Sequence, residues 1–276
     1  MIDELRARAM EFAGIVRRRL PRALEGTDPE DVHKLRVASR RLRESLRILD
    51  RLAPDKGLRR WQRTVRRITR EAGSVRELDV ALWFLRSSQS PLPGAVRGAA
   101  RKAVEPALLV RLDRVRRRFR RALTPSPLRG FRLPAGKGPT RPSKNWDSIL
   151  ARLMVEERFR QARRRYGRIR GSGDVRRMHR FRISVKKLRY TVELLSPYLP
   201  LVWRDRLDRI KKLQSVLGGL HDDFVTAGML RKAVRGMERE KSNAVSRANR
   251  AIRAHDSARY AALRRLRLPW HHVRKG

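Results

Sequence analysis

A net charge of +44, from 71 basic and 27 acidic side chains, dominates this 276-residue chain, and only 12 of the bases are lysine. Apolar residues make up 40% of the total and are joined by 17 glycines, which reaches the range of globular proteins and excludes a disordered basic tail. Cysteine is absent, so disulfides, thiolate nucleophiles and cysteine zinc sites are excluded as well.

Residues 1–6 mix acids and arginines where a signal peptide needs an apolar run. The longest uncharged runs, 87–96 and 194–203, span ten residues, too short for a membrane helix, so a soluble, cytoplasmic chain is expected. The first clear helix opens at Asp28 and Pro29, a capping side chain followed by proline where its missing N–H costs nothing, and ends before Pro54. At helical spacing Leu35, Ala38, Leu42, Leu46 and Leu49 fall on one face. His33, Arg36, Arg40, Arg43 and Arg47 form a basic stripe beside it, with Arg41 adjoining. In the next segment Trp61, Val65, Ile68 and Ala72 make an apolar seam opposite Arg59, Arg63, Arg66, Arg67 and Arg70.

A break follows at 87–94, and a richer cluster of prolines and glycines marks 124–145 as a linker between two halves, 1–123 and 146–270. In the second half Phe181, Ser184, Leu188, Val192 and Leu195 form the inner face. His179, Arg182, Lys186 and Arg189 form its stripe, with Lys187 adjoining and Glu193 at the end. Trp203, Leu207, Ile210, Gln214 and Leu217 repeat the second seam, flanked by Arg204 and Lys211 on one side and Arg209 and Lys212 on the other. Little β-branched alternation occurs anywhere, so an all-α protein of about ten helices is expected.

The halves repeat each other. His33, Arg36, Arg40, Arg41, Leu42 and Arg43 recur 146 residues later as His179, Arg182, Lys186, Lys187, Leu188 and Arg189. Gly73, Glu77 and Val80 recur more loosely 145 residues later as Gly218, Asp222 and Val225. Conserved order and spacing of this kind imply a duplicated helical unit. A row of like charges repels itself unless an anion neutralises it. Arginine grips phosphate oxygens with a planar fork, and histidine donates to them from a ring nitrogen. The candidate polyanion-binding set is therefore the two stripes with Arg41 and Lys187, flanked by Arg63, Arg66, Arg67, Arg70, Lys211 and Lys212. Solvated helix faces are the competing reading of the flanking residues, and a helix-orienting hydrogen bond that of His33 and His179.

Both histidine-led segments, with the run Lys186, Lys187, Leu188, Arg189, Tyr190, and the glycine-then-acid stretch 218–225 with its looser copy at 73–80, resemble the CHAD domain, the conserved histidine α-helical domain. The resemblance covers nearly the whole chain as a single domain. It implies two helical bundles related by a pseudo-twofold axis around a basic central pore, binding of inorganic polyphosphate, and often association with polyphosphate granules; the leading reading is a non-enzymatic polyphosphate-binding module. Two positions depart from the family pattern: Glu77 follows Arg76 where aspartate is usual, and Glu193 ends the second stripe.

No cofactor is expected. The Glu-x-Glu-x-Lys motif of the CYTH domains fused to some relatives is missing, because Glu238, Glu240 and Lys241 fall one residue short. Phosphate-binding loops, nucleophile elbows and zinc-protease motifs are also absent. Glu77, Asp79, Asp222 and Asp223 are read as ion-pair partners or caps at helix starts rather than metal ligands, and His271 with His272 as a tail. General nucleic-acid binding is the alternative function, since a pI near 11.9 is also that footprint, and weak binding at low salt is expected. Against it stand the 6% aromatic content, mostly on apolar seams, and the lack of a recognition motif. A polyphosphate-degrading enzyme is disfavoured because no carboxylate cluster is evident.

Overall fold

The structure, a computed structural model, describes residues 1–134, 145–169, 174–235 and 238–265. Among these, eight helices carry the chain and no strand forms: α1 (Ile2–Glu25), α2 (Pro29–Leu52), α3 (Lys56–Arg86), α4 (Gly94–Leu123), α5 (Trp146–Gly167), α6 (Val175–Leu195), α7 (Val202–Ala233) and α8 (Arg239–Arg265), with one 3-10 turn at Ser196–Tyr198. The helices are fewer and longer than the expected ten. Pro21 and Pro106 lie inside α1 and α4, and Gly73, Gly218 and Gly219 lie inside α3 and α7. Tertiary packing thus carries helices through residues whose local preference is to break them.

Helix ends follow local chemistry. Gly26 closes α1 in a left-handed conformation, with φ of 76°. Asp28 caps α2 by accepting from the Glu30 amide at 2.8 Å, and Pro29 stands at the first helical position as the sequence predicts. Asp55 caps α3 through the Gly57 and Leu58 amides, and Asp174 caps α6 through those of Arg176 and Arg177. The break at 87–94 separates α3 from α4.

Consecutive helices pack in series within residues 1–123 and again within 146–265, and across the two sets α2 meets α6, α3 meets α7 and α4 meets α8. All five inner-face residues of α2 and all five of α6 are buried. Of the second seams, Val65, Ile68 and Ala72 are buried, as are Trp203, Ile210 and Leu217. The stretch after α4 packs back on the core: Leu128 and Phe131 are buried, Phe131 meets Trp61 edge-on with centroids 4.9 Å apart, and Arg17 donates to the Phe131 carbonyl. Most of the proline- and glycine-rich cluster, 135–144, lies outside the described residues, as do His271 and His272.

A basic cleft between α2, α3, α6 and α7

Burying the leucine seams of α2 and α6 fixes the rotation of both helices, and this turns their basic stripes toward each other. A Thr191 hydroxyl on α6 donates to buried Glu44 on α2 at 3.0 Å, tying the two helices directly. The Thr69 hydroxyl on α3 lies 3.0 Å from that of Ser39 on α2. Between the four helices opens a cleft of about 450 Å³. Arg36, Arg40 and Arg43 line it from α2, Arg66 and Arg70 from α3, and His179, Arg182, Lys186 and Lys187 from α6. His221 enters from α7, and its Nδ1 lies 3.4 Å from Nδ1 of His179.

The charges are crowded and poorly solvated. Arg182 is buried, and Nε of both Arg36 and Arg182 is buried with no hydrogen-bond partner. One acid approaches from α7: Asp222 lies 3.9 Å from the Arg182 guanidinium. Burial first, and then repulsion from Arg40, lowers Arg36 to about 10. Burial also lowers Arg182 to about 10, against the pull of Asp222. The Lys186 ammonium falls furthest, to about 5, through burial and then the repulsion of Arg40, Arg182 and Arg36. Burial and then Arg182 hold His221 down to about 3, and His179 is lowered for the same reasons. Such an arrangement has the chemistry to hold an anion, because its bases outnumber its acids.

The CHAD domain family matches residues 9–231, most of the chain. The chain belongs to the CHAD family. Its fold is similar to the crystal structure of the CHAD domain from the plant Ricinus communis, with a TM-score of 0.74 at 22% identity over 99% of this chain and 92% of that one. It is also similar to PptA from Streptomyces chartreusis, with a TM-score of 0.68 at 14% identity over 96% of this chain and 98% of that one. No curated protein matches the chain.

The CHAD fold does not bring every expected cation to the cleft. Arg47 makes a bidentate pair with Glu44, at 2.5 and 3.0 Å. Arg189 binds Glu193 at 2.7 Å, and Arg41 approaches the same carboxylate at 3.8 Å while resting over the Phe12 ring. Arg67 donates to the Ala122 carbonyl, and Lys211 pairs with Asp208 at 2.9 Å. Arg63 and Lys212 are exposed away from the cleft. His33, half-buried, is lowered by burial and by Arg76 rather than by the cleft cations first. The sequence reading missed His221 and the lining acid Glu44, and it named Glu77 without placing it at the cleft. His221 had a signal: it stands next to Asp222, at the position that matches Arg76 in the repeated glycine motif.

On the other side of α3 and α7 lies a larger cleft of about 920 Å³, reached by α4 and α8. Asp79, Asp222 and Asp223 line it with Arg76, Arg86, Arg116 and His255. These acids sit in the interior of α3 and α7, not at helix starts, because both helices run on through the glycine motifs. They do find basic partners, Asp79 in an ion pair with Arg116 at 3.5 Å and Asp223 beside His255 Nδ1 at 3.2 Å. No group of three metal-ligating side chains occurs among the described residues, and none of the described helices is long and apolar enough to cross a membrane.

Proposed function

We propose that the chain binds inorganic polyphosphate without transforming it, holding the polymer along the basic cleft between α2 and α6. One observation carries the reading: matching positions of a repeated motif, Arg36 with Arg182 and Arg40 with Lys186, line one cleft, where they are desolvated and outnumber the acids. Arginine forks suit phosphate oxygens, and a slim polymer of phosphates brings several negative charges at once. The pairing of α2 with α6, α3 with α7 and α4 with α8 supports a pseudo-twofold duplication, and the two clefts on either side of α3 and α7 support a central basic passage. Polyphosphate granules in the cytoplasm are the site of action on this reading.

Thermal melting tests it. Polyphosphate raises the Tm of the protein far more than the same phosphate supplied as single ions, because a ligand of the folded state stabilises by mass action and one polymer engages many sites at once. Equal shifts from the two would overturn a continuous track. Release of orthophosphate from the polymer in the presence of Mg²⁺ would overturn the non-enzymatic reading, and equal shifts from polyphosphate and single-stranded DNA would favour a general nucleic-acid binder.

A further inference from the structure

The cleft holds three bases that proton transfer can switch on, and they lie where the polymer would pass. We propose that Lys186 and the His179–His221 pair meet the phosphate chain as cations formed on binding, protonated from solvent as the chain enters, so that binding is coupled to proton uptake. The proposal rests on the polyphosphate reading above and adds His221 as a ligand contact.

Geometry supports it. Arg36 and Arg40 face Lys186 from α2, and Arg182 faces it from its own helix. From α7 come His221 and Asp222, the single acid that raises it, and from α3 the lining includes Glu77 and Arg70. Burial, and then the three guanidiniums against it, hold the ammonium down to about 5 in the free protein, so at neutral pH the side chain is an amine. Oxygens of a polyanion entering the cleft reverse the sign of that field, and the amine takes a proton. The two histidines share one short contact, 3.4 Å between Nδ1 atoms. With one added proton the pair keeps a single N–H between the rings, whereas two would set N–H against N–H. Arg253 and Asp256 border the pair from α8, and burial with Arg182 keeps it neutral in the free state. The cleft therefore takes one proton at Lys186 and at most one at the pair.

The direction with pH follows from linkage. A group protonated on binding has a higher value in the complex than in the free protein, so affinity falls as pH rises from about 5 toward the value in the complex, by about tenfold per pH unit for each proton taken up. Below that window Lys186 is already charged and its share of the slope vanishes.

Calorimetric titration with long-chain polyphosphate at neutral pH, in buffers of different ionisation enthalpy, counts the protons. The expected slope of observed heat against buffer ionisation enthalpy is about one to two protons per site. Lys186→Arg, charged throughout, removes about one of them from whatever binding it retains, and His179→Gln with His221→Gln removes the remainder. Binding heat with zero slope in the unaltered protein overturns the inference and leaves the proposed function standing. A slope that survives both sets of substitutions in folded protein also overturns it. Absence of polyphosphate binding at every pH defeats the proposed function and the inference together.

Discussion

Two clefts flank the α3–α7 contact, and they differ in how their charges are satisfied. In the larger one, between the outer helices α4 and α8, each buried acid has a base: Asp79 has Arg116 and Asp223 has His255. Arg86 is likewise held, by Glu105. In the smaller one, between α2 and α6, Arg36, Arg40, Arg182 and Lys186 repel one another, with Asp222 at 3.9 Å from Arg182. Buried Nε atoms without a partner occur in both clefts, on Arg36 and Arg182 here and on Arg116 there, so the crowding of like charge is what differs. A fold stabilised mainly by burying apolar seams gains nothing from crowding desolvated bases. On the proposed function, size does not mark the site; crowding of buried like charge does. The first cleft sets acids beside bases, and the second sets bases beside bases.

The strongest way to break that contrast is to reverse the charge of two cleft positions. Arg40→Glu with Lys186→Glu is expected to weaken polyphosphate binding by more than about 100-fold, since each change puts repulsion where attraction stood and close charge pairs couple by several kcal/mol. The effect persists at salt that screens exposed charges. The same change at Arg247 and Arg250, exposed on α8, alters net charge by at least as much and costs far less. Titration of both double variants, with circular dichroism to show retained helix, checks it. Similar losses in two folded variants would mean that only net charge matters.

Much of this contrast was legible in the sequence, for particular physical reasons. A helix face reads directly from spacing: the seams from Leu35 to Leu49 and from Phe181 to Leu195 are buried as expected, and the stripes beside them had nowhere to go but the margin of the same contact. Cap chemistry gave the start of α2 and loop chemistry the break at 87–94. Pairing of charges did not read out. Arg47 with Glu44 and Arg189 with Glu193 pair three and four residues apart along their own helices, a spacing that stands in the sequence but that the stripe reading passes over, whereas Arg41 reaches Glu193 only through the packing of α2 on α6. His221 was hidden differently, because it enters the cleft from α7, a helix whose own pattern carries no histidine-led stripe. Eight helices form among the described residues rather than about ten, because α1, α3, α4 and α7 run on through prolines and glycines that packing holds in place.

A second test targets the larger cleft. Arg116→Ala removes the base beside Asp79, whose carboxylate is buried and raised by that burial despite Arg116 and Arg76. Leaving the acid buried without its partner is expected to lower stability by about 2–3 kcal/mol, read as a lower Tm or denaturant midpoint. Polyphosphate affinity is expected to change by less than about twofold, if the two clefts divide structure from binding as their pairing implies. An affinity loss as large as that of the Arg40 and Lys186 reversal would place the polymer in the larger cleft too and dissolve the distinction.

The smallest expected effect sharpens the contrast most, because it runs opposite to the usual direction of core substitutions. Lys186 stands at about 5 in the folded protein against an ordinary 10.5. Between those values the unfolded chain binds the proton and the folded one does not, so this group makes the free protein less stable as pH falls from 10.5 to 5. Lys186→Met keeps the aliphatic stem and removes the base. It is expected to stabilise the free protein at neutral pH by on the order of 1–2 kcal/mol, with a gain that grows toward pH 5 and vanishes toward 10.5. Polyphosphate affinity falls in the same variant. Lys211→Met, at an exposed site paired only with Asp208, is expected to move stability by less than about 0.5 kcal/mol. Denaturant titrations of both variants across pH read the two effects. A Lys186→Met protein less stable than its parent at every pH would show that the amine is well accommodated in the free fold, and the cleft would then be as satisfied as its larger neighbour.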